Sequence, residues 1–84
     1  MSYEVFILRR AQKELAALPK TDYERMRDAV VALAENPRPT GCKKLTGREG
    51  WRIRIGDYRV LYDINDQTLT VLVVSVAHRR DVYR

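Results

Sequence analysis

The chain has 84 residues and a formal net charge of +5, and 45% of its residues are hydrophobic. This length predicts a single domain over residues 1–84 with a small core. No apolar run approaches the ~20 residues that span a bilayer. The start has no basic segment followed by an apolar one, so we expect no secretory leader. Cys42 is the one cysteine, which excludes an internal disulfide and a cysteine metal cluster and favours the cytoplasm.

A short strand and a helix are the first predicted elements. Residues 3–8 are rich in β-branched and aromatic side chains, which indicates a strand. Ala11, Leu15 and Leu18 then recur at helical spacing, and this stripe predicts an amphipathic helix. Pro19 ends that helix, because the residue before a proline disfavours helical backbone.

A second amphipathic helix is predicted from Thr21. Thr21 and Glu24 have the spacing of a capping box, in which two side chains bind the first free backbone N–H groups. The apolar side of this helix consists of Tyr23, Met26, Val30 and Leu33. Asn36 and Pro37 end it, and the two helices are expected to form a hairpin.

The second half of the chain is predicted to be mainly β-structure. Residues 36–50 contain two prolines, three glycines and little periodicity, which predicts a loop. Three strands follow at residues 51–55, 58–64 and 69–76, and Gly56-Asp57 is a candidate type II′ hairpin turn. The order βααβββ predicts an α+β fold, with the two-helix hairpin packed on a mainly antiparallel four-stranded sheet.

The positive charge is concentrated in one segment. Residues 38–59 contain seven Lys and Arg residues against two Asp and Glu residues, whereas residues 1–37 and 60–84 are each balanced. A localised positive field attracts polyanions such as nucleic acids. The alternative is a solvated basic surface that keeps a small protein soluble.

The register of the predicted hairpin places three arginines on one face. With Gly56-Asp57 as the turn, Arg54 lies opposite Arg59, and Arg52 shares their face because alternate strand residues point the same way. The other face is apolar and consists of Trp51, Ile53, Ile55, Tyr58, Val60 and Tyr62. Adjacent like charges destabilise a sheet, and arginine donates two parallel hydrogen bonds to phosphate. These arginines therefore predict a phosphate site; the alternative is that they simply coat an exposed surface.

Several kinds of enzyme site are not indicated. The sequence shows no paired-carboxylate dyad, metal-ligand cluster or Ser-His-Asp pattern. Gly47-Arg48-Glu49-Gly50 lacks the spacing and the following lysine of a nucleotide-binding loop. We therefore expect neither a metal nor a cofactor.

The C-terminal residues add groups that can transfer protons. His78 is the one histidine, a residue type that exchanges protons near neutral pH. Tyr83 follows it, with Arg79 between them. Metal-free RNA cleavage requires that the attacking 2′-hydroxyl lose a proton, that the leaving 5′-oxygen gain one, and that the phosphorane charge be stabilised. His78, Tyr83 and the arginines are candidates for these roles, and spacing alone does not assign them.

Two motifs resemble the RelE branch of the RelE/ParE toxin superfamily. Residues 51–62, WRIRIGDYRVLY, resemble its signature hairpin, and residues 76–83, VAHRRDVY, resemble its C-terminal ending. Lys44 and Leu45, shortly before Gly47, resemble the lead-in to that hairpin. The resemblance covers essentially the whole chain and implies a RelE-like fold.

The same resemblance implies the toxin of a type II toxin–antitoxin system, a ribosome-dependent endoribonuclease that cuts mRNA and inhibits translation. The positions that match the family's active site are Arg52, Arg54, Arg59, Arg79 and Tyr83. RelE proteins often have lysines on the first hairpin strand, and the segment between Arg79 and Tyr83 is shorter here than in the best-known members. Because arginine is a poor general base, His78 is an alternative to Tyr83 in that role. Further RNA or ribosome contacts are expected from Lys43, Lys44, Arg48 and Arg80.

The sequence also leaves two other functions open and implies several partners. A ParE-like inhibitor of DNA gyrase would share the fold but generally lacks this C-terminal ending, and a non-catalytic module would only dock its basic hairpin on ribosomal RNA. The expected partners are the 70S ribosome, mRNA and an acidic RelB-like antitoxin in a toxin–antitoxin hetero-oligomer, with no membrane involved. A cationic groove attracts an acidic segment that folds on binding.

Overall fold

The computed structural model of the protein describes residues 2–78 and residue 80. Within these residues the chain forms two helices and five strands. In chain order they are β1 (Glu4–Ile7), α1 (Arg9–Ala16), α2 (Lys20–Ala32), β2 (Lys43–Lys44), β3 (Trp51–Ile55), β4 (Tyr58–Asn65) and β5 (Thr70–His78). The predicted α+β class is confirmed, with both helices preceding the main β-region.

The five strands form one mixed sheet in the order β1-β5-β4-β3-β2. Strand β1 pairs with β5 in parallel, and the other three pairings are antiparallel. The predicted count of four strands is wrong, because Lys43 and Lys44, assigned to a loop, pair with Arg52 and Trp51. Two residues are too few to show any periodicity. The return to β3 is closed by a hydrogen bond from the backbone N–H of Leu45 to the carbonyl of Gly50, 3.0 Å.

The helix boundaries differ from the prediction at both inner ends. Helix α1 ends at Ala16, two residues before Leu18. Helix α2 begins at Lys20 with Pro19 as its N-cap and no side-chain cap, so the predicted capping box at Thr21 is wrong. The fixed φ of a proline suits a helix start, and the Pro19 carbonyl already accepts a hydrogen bond from the N–H of Tyr23, 2.8 Å.

The core lies between the helices and one face of the sheet. Its buried hydrophobic members are Ala11, Leu15, Met26, Val30, Leu33, Ile53, Val60, Tyr62, Val71, Val73 and Val76. The buried Tyr62 hydroxyl donates a hydrogen bond to the carbonyl of Pro37, 2.7 Å, which ties the segment after α2 to β4. Burial raises the pKa of Tyr62 above its usual range, and the nearby Cys42 adds to the shift. No helix in the part of the chain that the structure describes is long and apolar enough to cross a membrane.

Candidate nucleic-acid interface

The β3–β4 hairpin has the predicted register. Ile55 pairs with Tyr58, Arg54 with Arg59, and Ile53 with Val60. Gly56 has a φ of 61°, whereas Asp57, the second central residue of the turn, does not have a positive φ. A positive φ at the first central position alone is what a type II′ turn requires. The turn therefore fixes the juxtaposition of Arg54 and Arg59.

A basic cleft lies on the face of this hairpin away from the helices. It is a cavity of about 120 Å³ lined by Gly41, Lys43, Arg52, Arg54 and Arg59, and we use the name basic cleft for this set. Strand β2 contributes by pairing Lys43 with Arg52, which places both side chains on the face of Arg54 and Arg59. Four cationic side chains from three neighbouring strands therefore surround one small cavity.

The loop that leads into β2 brings Gly41 to the rim of the basic cleft. Gly41 has a φ of 92°, a conformation that side-chain-bearing residues rarely adopt. The next N–H, of Cys42, donates to the carbonyl of Pro39, 3.0 Å, so the chain turns sharply just before β2. Gly41 was not predicted as a site residue. The sequence feature that could have indicated it is its position two residues before Lys43 in a Pro- and Gly-rich loop.

The guanidinium groups in the basic cleft are not equally satisfied. Nε of Arg54 donates to the carbonyl of Gly56, 3.1 Å, which holds this exposed side chain near the turn. Nη1 of Arg59 is buried and has no hydrogen-bond acceptor among the described residues. A buried donor without an acceptor costs free energy, and more so when the group is charged. Arg59 also lines the cleft, so an anion bound there would lie beside a guanidinium whose donors are not all satisfied.

Three other basic residues of the charged segment lie outside the cleft. Lys44 pairs with Trp51 and lines a different cavity with Glu49 and Asp63. Arg48 is exposed and borders another cavity that also contains Asp63. Arg38 donates two hydrogen bonds to the carboxylate of Asp66, 3.2 and 2.9 Å, and stacks 5.0 Å from the Trp51 ring. The segment 38–59 thus divides into a cleft and basic residues near carboxylates.

The structure does not bring His78 to the basic cleft. His78 pairs with Tyr58, and their rings meet edge to face with centroids 5.5 Å apart. Both therefore point to the helix-covered face, whereas the β5 partner of Arg59 is Ala77. Nδ1 of His78 accepts a hydrogen bond from the backbone N–H of Arg80, 3.3 Å.

The remaining predicted residues are at the chain end. Arg80 is exposed. Arg79 and Tyr83 lie outside the described residues. The described part of the site is therefore the basic cleft, and the proton-transfer groups stay predictions.

Comparison with known proteins places these features in a toxin family. A family model described as the ParE toxin of the type II toxin–antitoxin system parDE matches residues 5–83. Toxin RelG of Mycobacterium tuberculosis strain H37Rv is 35% identical over 92 residues, covering 100% of this chain and 99% of RelG.

Solved structures of RelE proteins have the same fold. A chain of the archaeal RelE–RelB complex from Pyrococcus horikoshii OT3 matches with a TM-score of 0.85 and 31% identity, covering 98% of this chain and 100% of that one. The isolated E. coli RelE toxin matches with a TM-score of 0.79 and 31% identity, covering 98% of this chain and 92% of the toxin. The similarity thus extends over the helices, the sheet and the hairpin that carries the basic cleft.

Proposed function

The chain belongs to the RelE toxins of the RelE/ParE superfamily of type II toxin–antitoxin systems, and on that premise we propose that it is a ribosome-dependent endoribonuclease. Its substrate is mRNA, and cleavage inhibits translation. The observation that carries this proposal is the basic cleft, in which Arg54 stands opposite Arg59 and two further cations line the same cavity. A cavity lined by three arginines and one lysine suits a phosphate group in charge and in hydrogen-bonding capacity.

The proposed reaction uses the basic cleft to hold the scissile phosphate. The 2′-oxygen of the substrate forms a bond to phosphorus, and the bond from phosphorus to the 5′-oxygen breaks. Arg52, Arg54 and Arg59 stabilise the charge that builds on the non-bridging oxygens, as preorganised donors do in other enzymes. Arg79 adds a further cation from the C-terminal segment. No metal or cofactor takes part.

Proton transfer is assigned to Tyr83, with His78 as the alternative. The assigned group takes the proton of the 2′-hydroxyl, a role that Tyr83 fills as the phenolate, and an acid such as a water molecule gives a proton to the leaving 5′-oxygen. His78 faces the helices, and its Nδ1 already accepts the Arg80 N–H. This geometry favours Tyr83. Around the cleft, Lys43, Lys44, Arg48 and Arg80 are proposed to contact RNA or the ribosome.

The proposed partner is an acidic antitoxin of the RelB type. Two of the similar structures, from Pyrococcus horikoshii and from E. coli, are RelE–RelB complexes. An acidic segment that folds over the basic cleft would neutralise its charge and block access of RNA. The proposed setting is a cytoplasmic toxin–antitoxin hetero-oligomer.

The deciding experiment adds purified protein to 70S ribosomes programmed with a defined mRNA and maps new RNA ends by primer extension. We expect cleavage by the unmodified protein and a loss of 10²–10³-fold in rate for Arg59→Ala, the range seen when one transition-state donor is removed. Arg9→Ala is the matched control, because Arg9 is an exposed arginine at the start of α1, outside the cleft. Equal cleavage by Arg59→Ala and the unmodified protein would remove the cleft from the mechanism.

The same assay separates the two proton-transfer candidates. Tyr83→Phe is expected to lose activity while His78→Ala retains it, and the reverse result would assign the role to His78. Ribosome binding without new RNA ends would indicate a non-catalytic module. Since the matching family model is described as ParE, a gyrase supercoiling assay is run in parallel. Inhibition of supercoiling without mRNA cleavage would favour the gyrase function.

A further inference from the structure

Strand β5 contains a β-bulge within its pairing with β4. Leu61 of β4 pairs with Ser75, whereas the next residue, Tyr62, pairs with Val73. Val74 is therefore the extra residue of β5. A bulge of this kind shifts the alternation of side chains along the strand that carries it.

The bulge determines which β5 side chains face the basic cleft. Val73 and Val76 are both in the core, 0% and 3% exposed, although they are three residues apart. Beyond the bulge, Ala77 pairs with Arg59 on the cleft side, and His78 points to the helices. A strand without the bulge would continue the alternation from Val73 and place Val76 opposite Arg59. His78 would then point toward the cleft, because a one-residue shift exchanges the two faces of a strand.

A carboxylate from α1 holds the bulge. Oε1 of Glu14 accepts hydrogen bonds from the backbone N–H of Val76, 2.8 Å, and from the hydroxyl of Ser75, 3.1 Å. Ser75 is 4% exposed, whereas the Glu14 side chain is 29% exposed. The other oxygen, Oε2, lies 3.5 Å from Nε of Arg10 and 3.4 Å from the Ser75 hydroxyl. A side chain 62 residues away in sequence thus satisfies the backbone donor that follows the bulge.

We propose that Glu14 is a positioning residue: it fixes the β5 bulge and thereby sets Ala77 opposite Arg59 of the basic cleft and turns His78 to the helices. The functional part of this proposal rests on the proposed ribonuclease activity. The structural part does not rest on that activity, because the bulge and its hydrogen bonds are present in the chain without any substrate or partner. Glu14 does not itself line the cleft.

The test compares Glu14→Ala, Glu14→Gln and the control Glu24→Ala in the full chain. Glu24 is an exposed carboxylate on α2. Amide hydrogen exchange at Val76 is measured by NMR, and kcat and KM are measured for cleavage of ribosome-bound mRNA. Glu14→Ala is expected to speed Val76 exchange by about tenfold or more and to lower kcat by about tenfold with KM nearly unchanged, since misplaced groups slow the chemical step. Glu14→Gln retains an oxygen acceptor and is expected to restore both values.

The outcomes distinguish this proposal from the proposed function. Unchanged Val76 exchange and unchanged kcat in Glu14→Ala would overturn the role of Glu14, as would a Glu14→Gln variant as defective as Glu14→Ala. If the unmodified protein cuts no mRNA, the ribonuclease proposal fails. The structural role of Glu14 is then still decided by the Val76 exchange rate and by whether the Tyr58–His78 ring contact persists in Glu14→Ala. If Glu14→Ala does not fold, Glu14→Asp replaces it. The aspartate side chain is one C–C bond, about 1.5 Å, shorter, so its carboxylate does not reach the Val76 N–H.

Discussion

The two faces of the β3–β4 hairpin contrast in how their polar groups are satisfied. On the helix-covered face, Ile53 and Val60 are buried, and the hydroxyl of Tyr62 has an acceptor in Pro37. On the cleft face, Arg54 stands opposite Arg59, and Nη1 of Arg59 has no acceptor within residues 2–78 and 80. The same strands carry both sets at alternate positions. One face therefore packs in the core, and the other brings like charges together at the basic cleft.

Ile53→Ala should produce the largest loss of stability. Ile53 is 6% exposed and packs in the core between two cleft arginines of the same strand. Truncation of a buried isoleucine costs about 2–5 kcal/mol, because transfer energy is lost and a cavity remains. Urea unfolding followed by circular dichroism measures the change. Arg54→Ala is the neighbouring control on the opposite face, and a larger loss for Arg54→Ala would contradict the division between the two faces.

Tyr62→Phe should produce the next largest effect. Its hydroxyl donates to the buried carbonyl of Pro37, so removal of the donor leaves that carbonyl unsatisfied. The expected loss in free energy of unfolding is about 1–3 kcal/mol. Tyr23→Phe, at an exposed tyrosine of α2, is the matched control and should change stability little. A loss of similar size in both variants would mean that the buried hydrogen bond has no special role.

Arg59→Met should weaken nucleic-acid binding while preserving stability. Methionine keeps an unbranched stem but removes both the buried unsatisfied donor and the repulsion from Arg54. The free energy of unfolding is expected to rise by up to about 1 kcal/mol. The slope of log affinity against log salt for a single-stranded RNA should decrease by about one. Fluorescence anisotropy across a salt series gives the slope, with Arg9→Met as control.

A fall in stability with an unchanged salt slope would contradict that expectation for Arg59. It would mean that the Arg59 guanidinium supports the sheet rather than binding an anion. The comparison with Ile53→Ala then sets the scale, because the two residues lie on facing strands of one hairpin. If Arg59 supports the sheet, its substitution should lower the free energy of unfolding nearly as much as Ile53→Ala does. If it binds an anion, the loss should be much smaller.

The hairpin was predictable because two independent constraints agree. The alternation from Trp51 to Tyr62 has a period of two, and a two-residue turn at Gly56-Asp57 permits one register that keeps the apolar residues on one face. The juxtaposition of Arg54 and Arg59 follows from these local rules. Helical stripes likewise identified both helices, although not their end residues.

The features that were not predicted depend on distant contacts or on very short elements. Strand β2 has two residues and therefore no detectable period. The β5 bulge is held by Glu14, a contact that no local pattern of residues 70–78 encodes. Because the bulge shifts the alternation, the side of the sheet on which His78 lies could not be read from its strand. The roles of Arg79 and Tyr83 stay predictions from family resemblance.

The pair of Arg38 and Asp66 offers the smallest test and the sharpest contrast with the cleft. Arg38 belongs to the basic segment, but hydrogen bonds from Arg38 and then from Tyr3 lower the pKa of the Asp66 carboxyl below its usual range. A carboxylate with a lowered pKa stabilises the folded state above its unfolded pKa, and this contribution is lost as pH falls through the folded pKa. Asp66→Asn should therefore be less stable than the unmodified protein at pH 7, and the difference should vanish below the folded pKa. Urea unfolding at pH 7, 5 and 3 measures it, with Asp28→Asn as control for a carboxylate whose arginine partner is its sequence neighbour. A difference that persists undiminished at the lowest pH would show that the Asp66 charge is not what Arg38 requires, and would remove the distinction between Arg38 and Arg59.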